Sequence, residues 1–129
     1  MTSDIIPEEI KEFVSRHVDS VAHLEGLILL RNNHKTVWSV EALAKRLYID
    51  ERQTTEIVHR LYSDGFLIMK STKPLQYQYQ PSSQELSNMV DRVADIYVKY
   101  LVPVTNLIHS KPVSRVQEFA DAFKLTKEE

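Results

Sequence analysis

The sequence predicts a mainly α-helical chain with a small β-hairpin and long C-terminal helices. Three observations carry this. Apolar residues recur three and four positions apart through most of the chain. Strict alternation is confined to residues 75–80. Asp64-Gly65 closes one helical pattern directly ahead of the apolar run Phe66-Leu67-Ile68. With 129 residues, 43% of them hydrophobic, the chain can bury a core of its own, which argues against wholesale disorder.

The elements follow in order. Pro7 suits the first turn of a helix, where a missing N–H costs nothing, and Glu8 and Glu9 sit near its positive end. Ile10, Phe13, Val14 and Val18 then fall on one face. Asp19 or Ser20 caps a second helix, which turns Val21, Leu24, Leu27, Ile28 and Leu30 inward. It stops at Asn32-Asn33, whose side chains compete for backbone hydrogen bonds. Thr36-Val37-Trp38 is a short β-prone piece. Ser39 caps a helix over residues 40–47, with Leu43, Ala44 and Leu47 inside. Asp50, with Gln53 three positions on, makes a capping-box pattern for the next helix, over residues 51–64. Thr54, Ile57, Val58 and Leu61 are its packing face, and Gly65 ends it in the left-handed conformation. Residues 66–70 and 75–80 read as the strands of a hairpin that turns at Lys73-Pro74. A break at residues 81–84 then caps a long helix, in which Pro103 predicts a kink or a restart. After a second break at Lys111-Pro112, Val113, Val116, Phe119, Ala120 and Phe123 make a last amphipathic helix.

Composition narrows the function classes. The absence of cysteine excludes a disulfide framework and thiolate metal sites, and it fits a cytoplasmic location. The N-terminal MTSDIIPEEIKEF has acids where a signal peptide needs bases, and the longest apolar run, residues 27–30, is too short to span a bilayer, so no membrane partner is expected. Sixteen Lys and Arg against eighteen Asp and Glu give a net charge of −2, unusual for a nucleic-acid binder. Between Lys45 and Lys73 the balance turns to +2, six bases against four acids. Any affinity for DNA there should show a shallow salt dependence.

The order helix, short strand, helix, helix, strand, loop, strand resembles the winged helix-turn-helix superfamily. Leu43-Ala44, Leu47, Ile49, Asp50, Thr54, Val58, Leu61, Gly65 and Leu67 carry the likeness, as core residues, cap and terminal glycine. The dimeric bacterial regulators of that superfamily, MarR- and PadR-like, add helices that pair two protomers. The resemblance implies a winged-helix domain over residues 1–81, including the N-terminal helix, and a helical dimerisation segment over residues 82–129. It implies a sequence-specific, DNA-binding transcriptional regulator acting as a homodimer. A winged-helix adaptor that binds protein instead of DNA is the alternative.

On the second helix of that motif, Arg52, Gln53, Thr55, Glu56, His59 and Arg60 are left on the outer face. Arg52 can bridge guanine acceptors, Gln53 can pair with adenine, and Thr55 can bind phosphate or touch a thymine methyl. Glu56 can accept from cytosine but repels phosphate. His59 and Arg60 suit backbone contact. By resemblance, the wing tip Lys70, Ser71, Thr72 and Lys73 reaches the adjacent groove or backbone.

Leu86, Val90, Val93, Tyr97, Tyr100, Val104 and Leu107 form a heptad-like seam, expected to pair two copies. The other reading packs the same stripe on its own domain, against Ile10, Phe13 and Val14. Phe119 and Phe123, four apart, suit a strap across the partner protomer or a docking helix for another protein. Tyr97 and Tyr100 are candidates to line a pocket for a small-molecule effector of unknown identity.

Catalytic chemistry is not legible. None of the five histidines pairs with another at i+4, and no H-E-x-x-H, nucleophile elbow or phosphate-binding loop occurs. No enzyme activity, metal or cofactor is expected.

Overall fold

The computed structural model describes residues 5–110, and these are mainly helical with one small antiparallel sheet. The elements are α1 (Glu8–His17), α2 (Val21–Asn32), β1 (Trp38–Ser39), α3 (Val40–Leu47), α4 (Glu51–Ser63), β2 (Leu67–Thr72), β3 (Leu75–Tyr79) and α5 (Gln84–Lys99). Residues 101–110 are again helical. The sheet order is β1-β3-β2, with Trp38 opposite Tyr77 and Leu67 opposite Tyr79.

Side chains fix the helix starts. Ser20, Ser39, Asp50 and Ser83 each accept a hydrogen bond from a backbone N–H three residues on, which satisfies one of the orphan donors of a first turn. Pro7 stands just outside α1, as its cap, and its carbonyl accepts from Ile10 and Lys11. The β-prone piece before α3 pairs only over Trp38–Ser39, because Ser39 must also cap α3.

The end of α4 is a Schellman closure. The Phe66 N–H donates to Leu61 O at 3.0 Å and the Gly65 N–H to Tyr62 O at 3.1 Å, with Gly65 at φ +90°. This use of the Phe66 amide explains why β2 starts at Leu67, one residue later than its composition suggests. β2 also runs on to Thr72, with a bulge between Met69 and Ser71 that leaves Lys70 unpaired.

One core holds the described elements together. Ile10, Phe13 and Val14 of α1, Leu24, Leu27 and Leu30 of α2, Leu43 of α3, Ile57 and Leu61 of α4, and Phe66 join Val90, Val93 and Tyr97 of α5 in a single buried cluster. Truncating one of the fully buried leucines, such as Leu61, should cost about 2–5 kcal/mol.

The C-terminal helix breaks at Tyr100, not at Pro103. Tyr100 ends α5 and its carbonyl accepts from the Val104 N–H at 3.0 Å, opening the next helix. Pro103 then lies in a first turn, where its missing N–H leaves no gap.

Among the described residues no helix is long and apolar enough to cross a membrane, and no group of three or more histidines and carboxylates is placed to hold a metal.

Candidate nucleic-acid interface

The candidate surface is built by α3, the turn after it, and α4. Two residues of that turn hydrogen-bond back to one carbonyl: the N–H groups of Tyr48 and Ile49 both donate to Ala44 O. The turn depends on Tyr48 adopting a left-handed backbone, φ 58° and ψ 40°. That conformation costs a side-chain-bearing residue about 1–2 kcal/mol. Asp50 Oδ1 then accepts from the Gln53 N–H at 2.7 Å and starts α4.

One side of α4 is locked. Thr54 is fully buried and its hydroxyl donates to Asp50 O at 2.8 Å, while Ile57, Val58 and Leu61 enter the core. The other side leaves Arg52, Gln53, Thr55, Glu56 and His59 exposed, and no described residue covers them. Within this set Thr55 differs from its expected role. Its hydroxyl donates to Glu51 O at 2.7 Å and so has its proton already engaged within the helix.

Arg60 is not available as expected. Its Nε donates to Asp64 at 3.0 Å, one terminal nitrogen to Asp19 at 2.8 Å, and the other to the Arg16 carbonyl at 2.6 Å. Two carboxylates and a carbonyl hold the guanidinium against the α1–α2 corner, so the sequence expectation of a free backbone contact is corrected. His17 completes this network through Nδ1 to Asp64 at 3.0 Å, and its ring forms a three-way cluster with those of Phe13 and Phe66. Only the Arg60–Asp64 pair, four residues apart, is local; the bonds to Arg16 and Asp19 and the His17–Asp64 bond span 41 to 47 positions and leave no mark in the local pattern.

The hairpin exposes Lys70, Thr72 and Lys73 and keeps Ser71 half-buried. Its base is anchored by buried Tyr77, which meets Tyr62 of α4 edge-on at 5.7 Å. Trp38 is a core residue, and Arg46 lies over its ring at 5.6 Å. Lys45 pairs with Glu41 at 3.4 Å. The exposed charges of α3 and α4 are therefore mixed, with Glu41, Asp50, Glu51 and Glu56 set against Lys45, Arg46 and Arg52.

The stripe expected to pair two copies is spent inside one. Val90, Val93, Tyr97 and Val104 are buried in the same core as Ile10, Phe13 and Val14, while Leu86 and Leu107 are half-buried and Tyr100 is exposed. The Tyr97 hydroxyl donates to Glu25 at 2.9 Å, and Arg31–Asp91 and Arg92–Glu9 ion pairs clamp α5 to α2 and α1. Burial comes first and the Glu25 bond second in pushing the Tyr97 phenol up to about 12. Phe119 and Phe123 lie outside the described residues. The apolar side chains left outward near this region are Val98, Leu101 and Val102, at 80%, 52% and 65% exposure.

Among the described residues an open cleft of about 700 Å³ lies between the end of α2, β3 and α5, where Arg31, Tyr79, Ser87 and Asp91 meet, and neither Tyr97 nor Tyr100 lines it. Burial and the nearby Asp91 carboxylate raise the Tyr79 phenol to about 12.

Neither the models of known protein families nor the curated proteins match this chain. The functional reading therefore stands on the geometry of α3, α4 and the hairpin.

Proposed function

We propose that this chain is a sequence-specific, duplex-DNA-binding transcriptional regulator of the winged helix-turn-helix kind, acting as a cytoplasmic bacterial homodimer without enzymatic activity or a cofactor. One observation carries the reading. A 13-residue helix, α4, is locked on one side by Thr54, Ile57, Val58 and Leu61 and open on the other, with an exposed hairpin beside it. A rigid helix with a free polar face fits the major groove.

In this reading Arg52 and Gln53 read base edges, each well-formed bidentate contact being worth about 1–3 kcal/mol of discrimination. The Thr55 methyl faces thymine. His59, Lys70 and Lys73 meet the backbone, with Ser71 and Thr72 beside them at the tip. Arg60 holds the end of α4 in place instead of touching phosphate. Pairing of two copies falls to the outward Val98, Leu101 and Val102, since the buried stripe of α5 is already used.

The mixed charge of the outer face favours a second reading, a winged-helix adaptor that binds protein. Retention of the full chain on bulk genomic duplex, measured from low to moderate salt, separates the two. Retention that weakens gradually with salt supports the regulator. No retention at the lowest salt supports the adaptor.

A further inference from the structure

Tyr48 is placed against two physical preferences at once. Its ring is 94% exposed, where burial would be favourable, and its backbone is left-handed, where glycine would be at ease. Among the described residues its phenol has no hydrogen-bond, ion-pair or ring partner. Fold stability therefore gives no account of this side chain. Its position does suggest one. The residue borders an open depression with Glu41, Lys45, Asp50 and Glu51, at the end of α3 and the start of α4. When the start of a recognition helix points at base edges, the helix before it crosses the sugar-phosphate backbone, and the turn between them lies against that wall.

We infer that the Tyr48 hydroxyl donates a hydrogen bond to a backbone phosphate at the edge of the groove that receives α4, as a positioning contact outside the base-reading set. The inference rests on the DNA-binding reading above and adds a contact to it. Tyrosine is one of the side chains that meet phosphate oxygens, and being neutral it displaces no counterion. Its loss should weaken every duplex alike and leave the salt dependence unchanged, whereas loss of a phosphate-binding lysine lowers the salt slope.

The test measures affinity for several unrelated duplexes across a salt series, using wild type, Tyr48→Phe, Tyr48→Gly and Lys73→Ala, with a melting temperature for each. The expected result is about tenfold weaker binding by both Tyr48 variants on all duplexes, with a slope parallel to wild type. Tyr48→Gly should melt no lower than wild type, since it relieves the left-handed strain. Wild-type affinity in both variants overturns the inference, as does a loss confined to Tyr48→Gly or a flattened slope in Tyr48→Phe. Absence of wild-type binding at the lowest salt overturns the DNA reading itself, and the inference with it.

Discussion

Gly65 is the residue whose identity the fold constrains most visibly. Its φ of +90° disfavours any side chain, and a Cβ would stand 2.8 Å from the Ser82 hydroxyl oxygen. Gly65→Ala should lower stability by about 1–3 kcal/mol, read as a shifted denaturant midpoint with an unchanged slope. This position was legible because Asp-Gly after an amphipathic run has a known physical meaning. Tyr48 was not, since nothing in a tyrosine's chemistry announces a left-handed turn. Arg60 was misread for a different reason. Helical spacing places it on the outer flank beside Asp64, but the Asp19 carboxylate and Arg16 carbonyl that draw it to the α1–α2 corner are 41 and 44 residues away. At the base-reading end, Arg52→Ala should relax sequence preference, while Lys73→Ala should weaken all duplexes about equally. Binding titrations on matched and mismatched duplexes check both.

Among the elements, α4 was the most predictable, because cap, packing face and terminal glycine agree with one another. Its observed range, Glu51–Ser63, falls within one residue of the pattern. The hairpin was recognisable, but its bulge was not, because bulge placement depends on cross-strand register. The seam of α5 was visible as a stripe, but a stripe does not say whether its partner is another copy or the same chain. The ion pairs to α1 and α2 supply that answer. Burial of two phenols beside carboxylates also makes stability depend on alkaline pH. The Tyr79 and Tyr97 phenols are raised from 10.0 to about 12, so the folded chain keeps them neutral where an unfolded chain would ionise them. The stabilisation is complete below pH 10 and is lost as pH rises towards 12. Denaturant midpoints should fall over that window, and Tyr97→Phe with Tyr79→Phe should flatten the fall.

At the scale of the whole molecule, the core of residues 5–110 is one cluster that spans both segments into which the sequence was divided. Val93, only 1% exposed, is therefore part of the fold. Val93→Glu should cost more than about 3 kcal/mol by burying an unpaired charge. Val98→Glu, at an 80% exposed site, should leave the melting temperature near wild type. If the outward patch pairs two copies, sedimentation of Val98→Glu should report a monomer where wild type reports a dimer. In the proposed function the open side of α4 enters duplex DNA. Selection of bound fragments from randomised duplexes, run in parallel with wild type and Arg52→Ala, tests it most directly. Wild type should yield one enriched motif, degraded at a single base position by Arg52→Ala. Unenriched fragments with wild type, or an identical motif from both proteins, would contradict the proposed function.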